Sequence, residues 1–424
     1  MADCNQLDMY YSILSDELVL AQGCTEPIAI AYAAAKAAKI LGSKPDRLTV
    51  ACSGNIYKNV QSVIIPGTGT LTGVAAAAVL GAIAGNSDMM LEVLRGITME
   101  NVKEAADLIN RQFCKTELLD DSETPLAICV TAGRLKDYAQ VTVMHTHTNI
   151  VKIEKNGEIL HQQDCRQYVK SLREDLTIRT ILDFADAAEL ERIKPLLQRQ
   201  IECNLGIAEE GLRNKYGANV GKLILSQAQQ EDARTLAIAY AAAGSDARMA
   251  GCEMPVVINS GSGNQGITVS LPVVMMARER GCSEDMLYRA LIVSNLTSIR
   301  IKSNMGSLSA FCGAVSAACG AGAGIAYLMG FDYARIGATI VNMLANISGL
   351  VCDGAKASCA AKIASSISAA FLALDLAEQG FSFAAGDGFV GHDVEETIDN
   401  IAKIVKNGMR STDREILKVM LECG

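Results

Sequence analysis

The sequence contains no tryptophan, and only 4% of its 424 residues are aromatic, although half of them are hydrophobic. The apolar content is therefore small and aliphatic, dominated by alanine, glycine, isoleucine, valine and methionine. Small side chains let helix backbones approach closely, because the distance between packed helices depends on the side chains at their contact. We expect tightly packed helices around a buried site.

Positive charge is scarcer than negative charge: 38 Lys and Arg face 47 Asp and Glu, which gives a formal net charge of −9. Nucleic-acid binding needs a basic face for the phosphates, so this composition argues against it. No polybasic run is present that would bind an anionic membrane surface. Two long uncharged stretches, residues 303–331 and 70–86, are rich in Ala, Gly, Ser and Thr. Their insertion into a bilayer would be only weakly favourable, so we expect buried helices.

The N-terminal residues show neither the basic region nor the apolar region of a secretory signal peptide, which favours a cytoplasmic protein. Fourteen cysteines are present. In a reducing compartment, clustered cysteines bind metals or take part in catalysis more often than they form disulfides.

The pattern of apolar residues predicts an α+β protein, with a mainly helical body of close-packed Ala/Gly-rich helices and a smaller inserted α+β unit. Helices are expected at 5–20, 27–41, 71–84 and 99–113, and strands at 48–55, 60–67, 123–132 and 138–158, the last with an Asn-Gly turn. Beyond about residue 165 the pattern is almost wholly helical, interrupted at 255–270. We therefore predict a helical domain of residues 1–45 and 170–424 and an α+β domain of residues 46–169. Thr25 is expected to cap the second helix, with Pro27 in its first turn.

Two cysteines stand out because they lie in a loop, in the segment VCDGAKASCAAKI. Gly354 between Cys352 and Cys359 breaks the preceding helix, and Ser358 is placed to cap the next one. Backbone N–H groups of such a loop can bond to thiolates and inorganic sulfide. Cys312 precedes them by forty residues and is followed by a glycine. The spacing is not a repeated C-x2-C, so it supports neither a zinc ribbon nor a ferredoxin.

Glycine-rich turns at 66–69 and 260–266 can present converging N–H groups to the carboxylate of a small molecule. The alternative, which the sequence leaves open, is that they are simply strand-to-helix turns. His145 and His147 alternate on a predicted strand and so face one side of it. The candidate substrate-binding residues are Asn55, Lys58, Asn59, Gly67, Thr68, His147, Asn149, Asn264 and Gln265.

Seven collinear segments carry a resemblance to a known family. They are LAQGCTEPIAIAYAAAKA (20–37), SGNIYKNVQSVIIPGTG (53–69), HTHTNI (145–150), GSGNQGI (261–267), GSLSAFCG (306–313), CDGAKASCAAKIA (352–364) and DGFVGHDVEETIDNI (387–401). Across nearly its whole length the chain resembles the L-cysteine desulfidase family, which is related to the α-part of bacterial iron–sulfur L-serine dehydratases.

The resemblance implies that Cys312, Cys352 and Cys359 ligate a [4Fe–4S] cluster. It also implies that Cys24 is a fourth ligand or a catalytic thiol. Cys24 stands just ahead of a predicted helix, whose N-terminus favours a thiolate. Lys302 and Lys356 are rival candidates for the catalytic base. The last two cluster cysteines are closer together than in the serine dehydratases, which argues against a simple serine dehydratase assignment.

The expected activity is β-elimination of L-cysteine to sulfide, ammonia and pyruvate. The alternatives are an L-serine dehydratase of the same chemistry and a non-catalytic iron–sulfur or amino-acid sensor. The expected partner is a small amino acid, L-cysteine or L-serine, with neither nucleic acid nor membrane, and a homodimer is the candidate assembly.

Overall fold

The computed structural model describes residues 4–119, 124–163, 176–306 and 308–423. The α+β class with a helical body is confirmed. The first half contains helices α1 (Cys4–Glu17), α2 (Thr25–Leu41), α3 (Gly54–Val60), α4 (Val74–Ala84) and α5 (Met99–Asn110), with strands β1 (Leu20–Gln22), β2 (Arg47–Cys52), β3 (Cys114–Leu118), β4 (Ala127–Arg134), β5 (Asp137–Met144), β6 (Ile150–Lys155) and β7 (Glu158–Gln162).

The second half is helical apart from one short strand. Its elements are α6 (Ile178–Ala187), α7 (Leu190–Arg213), α8 (Val220–Gln227), α9 (Ala233–Met249), β8 (Pro255–Val257), α10 (Gly263–Glu279), α11 (Glu284–Ser303), α12 (Gly313–Leu328), α13 (Tyr333–Ile347), α14 (Cys359–Glu378), α15 (Val394–Lys403) and α16 (Met409–Cys423).

Six strands form one sheet in the order β3-β2-β4-β5-β6-β7. The β2–β3 pair is parallel and the other pairs are antiparallel. Buried and less buried residues alternate along β5, as expected of a strand with one covered face. Asn156 and Gly157 both adopt positive φ between β6 and β7, so the turn expected from the Asn-Gly pair is present. Helices α2 and α4 pack beside this sheet.

A second, two-stranded sheet brings two distant segments together. Strand β1 pairs antiparallel with β8, so that Leu20 faces Val257. Because the pair is antiparallel, the residues that follow β1 lie beside those that precede β8, and the Gln22 amide donates to the carbonyl oxygen of Glu253 at 3.0 Å. The start of α2 also meets the loop that follows β8. Thr25 closes this junction by donating a hydrogen bond of 2.8 Å from its hydroxyl to the carbonyl oxygen of Gly261.

Small residues allow the helices of the body to pack closely, as the composition predicts. Helix α12 is surrounded by α10, α11, α13 and α14. A Cβ added at Gly320 of α12 would lie 2.4 Å from the carbonyl oxygen of Ser294 in α11. Only glycine permits this approach, because that distance is far inside van der Waals contact.

The two uncharged stretches form short buried helices, α4 and α12, of 11 and 16 residues. Helix α14 is long and apolar enough to cross a membrane by length and composition alone, but more than half of that segment is buried inside the protein. Such burial is what the core helix of a soluble protein shows.

Three sequence-based expectations are wrong in detail. The strand expected at 60–67 is absent: α3 ends at Val60, and Pro66, which has no N–H to donate, is followed by Gly67 at φ 73°. The interruption at 255–270 ends early because α10 begins at Gly263. Cys24, rather than Thr25, is the N-cap of α2, although Pro27 does lie in the first turn.

The division of the chain into two domains stays a prediction. The boundary at 169/170 lies outside the described residues. Helix α2, which the prediction assigns to the helical domain, packs mainly on α4 and on strands β4 and β5.

Candidate functional site

One cavity of about 100 Å³ collects most of the residues selected from the sequence. It lies where the start of α2 and the loop after β5 meet the helical body. Nine predicted site residues line it: Cys24, Asn59, His147, Asn264, Gln265, Lys302, Cys312, Cys352 and Cys359.

Four of the described helices begin at this cavity. Cys24, Ser262 and Cys312 are the N-caps of α2, α10 and α12, and Cys359 is the first residue of α14, after the N-cap Ser358. None of these caps makes a side-chain hydrogen bond to its helix. The N–H groups of four first turns and the positive ends of four helix dipoles therefore converge, which favours anionic groups such as thiolates and carboxylates.

Backbone hydrogen bonds hold two of the cysteines side by side. The N–H of Cys312 donates to the carbonyl oxygen of Leu350 at 3.0 Å, and the N–H of Cys352 donates to that of Ala310 at 2.7 Å. Both segments are thus locked together as an isolated antiparallel bridge. The segment between these two cysteines contains α12 and α13, whose packing determines where the bridge lies.

Lys58, which does not line the cavity, stabilises the loop from Cys352 to Cys359. The buried Lys58 ammonium donates to the carbonyl oxygen of Cys352 at 3.1 Å and pairs with Asp413 at 2.7 Å. Gly354 has φ 98°, and a Cβ there would lie 2.3 Å from the carbonyl oxygen of Lys58. The loop conformation consequently requires glycine at this position.

The thiols are buried and mutually repulsive as thiolates. Burial, followed by the neighbouring Cys352, raises the pKa of Cys312 to about 12. Burial also raises the pKa of Cys359. Burial lowers the pKa of the Lys302 ammonium, although Cys352 and Cys312 oppose that shift. Among the residues the structure describes, no three His, Cys, Asp or Glu side chains are grouped so as to hold a single metal ion, so the three cysteines share the cavity without meeting at one point.

Glu26, which was not among the residues selected from the sequence, lies in the opposite wall of the cavity, and other polar side chains of that wall contact its carboxylate. Its carboxylate accepts hydrogen bonds from the Cys24 thiol at 2.9 Å and from the Asn59 amide at 3.1 Å. Nε2 of His147 lies 3.8 Å from the same carboxylate. Burial alone would raise the pKa of Glu26, but the contacts with His147 and Cys24 outweigh it and lower that pKa to about 2.

The same contact keeps Cys24 protonated. Burial, and then repulsion by Glu26, raises the pKa of the Cys24 thiol well above its usual value. The helix N-terminus was expected to favour a thiolate, and its effect is overcome because both the desolvation and the adjacent carboxylate disfavour the anion. Cys24 is therefore a thiol that donates a hydrogen bond to Glu26.

Six predicted residues do not line the cavity. Lys58 supports the cysteine loop as described, and Lys356 forms an ion pair with Asp353. Asn55 lies in the first turn of α3, whereas Gly67, Thr68 and Asn149 lie in turns or beside them. The Thr68 hydroxyl donates to the carbonyl oxygen of Ile65, and the Asn149 amide donates to that of Met144.

A second buried charge that the sequence-based selection missed is Arg248, at the end of α9. It lines the cavity and donates from Nη1 to the side-chain oxygen of Asn264 at 3.0 Å. Like Glu26, it differs from an ordinary surface charge only in being buried, and no local sequence pattern reveals that burial.

Comparison with known proteins gives the family. The profile of the family described as "serine dehydratase alpha chain" matches residues 88–418. The chain belongs to this family. Among its relatives are proteins named "UPF0597 protein" from Lachnoclostridium phytofermentans, 49% identical over 96% of this chain and 98% of that protein, and from Desulfitobacterium hafniense, 47% identical over 97% and 96%. Another with this name, from Treponema denticola, is 45% identical over 99% of both chains. Family membership indicates a lyase-type enzyme that acts on an amino acid.

Proposed function

We propose that this protein is an L-cysteine desulfidase, which eliminates sulfide from L-cysteine and releases pyruvate and ammonia. The observation that carries the proposal is the cavity itself. Three cysteines from α12, α14 and the loop between α13 and α14 share it with the hydrogen-bonded pair of Cys24 and Glu26. β-Elimination needs a base that accepts the proton of Cα and a group that stabilises the leaving sulfur. In this proposal the wall with Cys24 offers a base, and the wall with the three cysteines holds the group that stabilises the sulfur.

Cys312, Cys352 and Cys359 would hold a [4Fe–4S] cluster. Their thiols are the donor type that binds such clusters, and the converging helix N-termini would stabilise the negative charge of the thiolates. When bound, the cluster supplies a Lewis-acidic iron for the leaving group of the substrate. Burial, and then repulsion by Cys352, raises the pKa of Cys312, and the positive charge of bound iron would offset both.

The proton from Cα has two candidate acceptors on this chain. Cys24 can accept it at Sγ only as the thiolate, a form that burial and the Glu26 carboxylate 2.9 Å away both disfavour. Lys302 can accept it at Nζ, because burial lowers the pKa of its ammonium and so increases the fraction of free amine. Lys356, the third base proposed from the sequence, is held by Asp353 outside the cavity lining.

Assays on one anaerobic preparation test the activity and also distinguish the two candidate bases, Cys24 and Lys302. The wild type is expected to show the visible absorbance of an iron–sulfur cluster and to produce sulfide and pyruvate from L-cysteine. Cys24→Ala and Lys302→Met, with Lys356→Met as the matched control, are then assayed at unchanged cluster absorbance. We expect Lys356→Met to retain activity and the variant that lacks the base to lose about 100-fold or more in kcat. Neither a chromophore nor pyruvate in the wild type would refute the proposal.

A second candidate, L-serine dehydratase, is favoured by the family that the chain matches. The two activities differ only in the leaving group, a hydroxyl or a thiol. Comparing kcat/KM for L-serine and L-cysteine on one preparation decides between them. A sensor without catalysis would bind either amino acid and produce no pyruvate. A cytoplasmic location and a homodimer remain part of this proposal.

A further inference from the structure

Arg248 is a buried cation with an unoccupied hydrogen-bonding edge. Its side chain is 2% exposed and lies in the wall of the cavity. Nη1 is bonded to Asn264, but Nε and Nη2 are buried and have no hydrogen-bond partner. Among the described residues, no Asp or Glu forms a salt bridge with it. Burying an unpaired charge is strongly unfavourable, so an arrangement of this kind is suited to binding an anion.

The two unpaired nitrogens lie on the same edge of the guanidinium. Nη2 is trans to Cδ, which places its N–H beside the N–H of Nε and parallel to it. This edge matches the two oxygens of a carboxylate, which accept the parallel hydrogen bonds of a bidentate pair. Asn264 accepts a hydrogen bond from the third nitrogen, Nη1, and so fixes the orientation of the guanidinium plane.

The start of α10 reinforces the preference for an anion. A Cβ at Gly263 would lie 2.3 Å from Nε and 2.8 Å from Cζ of Arg248, so the guanidinium rests directly on the first turn of this helix. The side chain of the N-cap Ser262 makes no hydrogen bond to its helix, and Ser262 and Gln265 also line the cavity. Arg248 also acts electrostatically on the thiols of Cys24 and Cys359, so it lies close to both walls.

We propose that Arg248 binds the α-carboxylate of the amino-acid substrate through Nε and Nη2, and so holds Cα between the cysteine trio and the Cys24–Glu26 pair. This inference rests on the proposed function for the identity of the substrate. The competing role is compensation of the charge on the three cluster thiolates. The two roles differ in what they recognise: a carboxylate carried by the ligand, or the protein's own sulfur atoms.

Two ligands that do not react distinguish the roles. L-alanine and ethylamine differ by one carboxylate, so calorimetric titration of the anaerobic holoenzyme with each measures recognition of that group without turnover. The wild type is expected to bind L-alanine more tightly than ethylamine. Arg248→Gln should weaken L-alanine binding about 100-fold and leave ethylamine binding unchanged. Arg248→Lys should recover part of the loss, and Arg234→Lys, on the same helix but paired with Asp375, should behave as the wild type.

Kinetics provide the second measurement. The KM for L-cysteine should rise about 100-fold in Arg248→Gln at unchanged cluster absorbance. Equal binding of the two ligands by the wild type, or an Arg248→Gln variant that loses cluster absorbance while keeping its preference for L-alanine, would overturn the inference. If the wild type forms no pyruvate but its preference for L-alanine depends on Arg248, the proposed function fails and the carboxylate site stands. If the wild type turns over L-cysteine and Arg248→Gln keeps the wild-type KM, only the Arg248 inference fails.

Discussion

Asp246 lies two residues before Arg248 on α9 and is as deeply buried, yet no cation is paired with it in the described part of the chain. One carboxylate oxygen accepts a hydrogen bond from the N–H of Gly221 at 3.1 Å, and the other has no partner. Burial raises the pKa of Asp246 from 3.8 to about 6. A carboxyl whose pKa is higher in the folded than in the unfolded chain stabilises the folded state only while it is protonated.

We therefore expect Asp246→Asn to be more stable than the wild type at pH 7. In the wild type, the contribution of Asp246 to the free energy of unfolding falls as the pH rises from 3.8 to about 6. The uncharged amide keeps an oxygen for Gly221 and removes this loss, which amounts to a gain on the order of 3 kcal/mol. Urea unfolding at pH 5 and pH 7 measures it, with the exposed Asp107→Asn as the control. A gain that is no larger at pH 7 than at pH 5 would contradict the prediction.

Gly263 is predicted to be necessary for the position of Arg248. In Gly263→Ala the new methyl group would lie 2.3 Å from Nε of Arg248 and 2.7 Å from Val256, so the guanidinium must move. Displacement of a binding group by about 1 Å can cost roughly 100-fold in activity. We expect kcat/KM for L-cysteine to fall at least tenfold while the circular dichroism spectrum is retained. Gly408→Ala, where no atom lies within 4 Å of the added Cβ, is the control and should have wild-type kinetics.

The sequence identifies site residues whose type is chemically unusual, and misses those that are unusual only in their surroundings. The cysteine trio, Cys24 and His147 were selected from sequence and family resemblance, and all of them line one cavity. Glu26 and Arg248 look like ordinary surface charges in a sequence. Lys58 was expected to bind substrate, whereas its ammonium pairs with Asp413, 355 residues away along the chain, a contact that no local pattern encodes.

At the scale of elements, the C-terminal helix α16 is tied to the cysteine loop through Lys58. Asp413 of α16 pairs with the Lys58 ammonium, which also holds the carbonyl oxygen of Cys352. Leu417 packs against Gly54 at the start of α3. A five-residue π-helical turn, Ile404–Gly408, precedes α16. The ion pair between Asp413 and Lys58 is the more buried of the two ion pairs described for α16.

We expect Asp413→Asn to loosen α16. The neutral amide leaves the buried Lys58 ammonium without its counter-charge, and breaking such a pair is strongly destabilising. Hydrogen–deuterium exchange should become faster in residues 409–423 and in the 352–359 loop. Glu415→Gln removes the exposed pair with Lys418 on the same helix and should leave exchange in the loop unchanged. Equal exchange in the two variants would show that the ion pair does not hold α16.

Helices and strands with a clear hydrophobic period could be predicted from the sequence. Segments whose conformation depends on tertiary contacts could not. The amphipathic or Ala-rich helices and the Val/Ile/Thr-rich strands around the Asn-Gly turn appear where the pattern placed them. Residues 60–67 have strand-like composition, but α3 and a turn at Pro66 replace the strand. Residues 263–270 form the start of α10, where the hydroxyls of Thr268 and Ser270 donate to carbonyl oxygens one turn earlier in the helix.

At the scale of the whole molecule, the cavity joins parts of the chain that are far apart in sequence. Cys24 and Glu26 come from the start of α2, which packs on the sheet, and His147 comes from the loop after β5. The cysteine trio comes from the helical body. Composition predicted the dense helical packing, but the β1–β8 pairing, which joins the segment before α2 to the segment before α10, involves only three residues of each strand and could not be anticipated.

A cluster held by three separated cysteines should stabilise the whole fold, because a ligand that binds only the folded chain shifts the unfolding equilibrium. We expect chelation of iron from the anaerobic wild type to lower Tm by several degrees, since about 1 kcal/mol corresponds to a few degrees in a protein of this size. Cys312→Ser should begin at the lower Tm and show no further change on chelation. Cys282→Ser, which alters a cysteine outside the cavity lining, should respond to the chelator as the wild type does. The same drop in Cys312→Ser as in the wild type would mean that the iron is bound elsewhere.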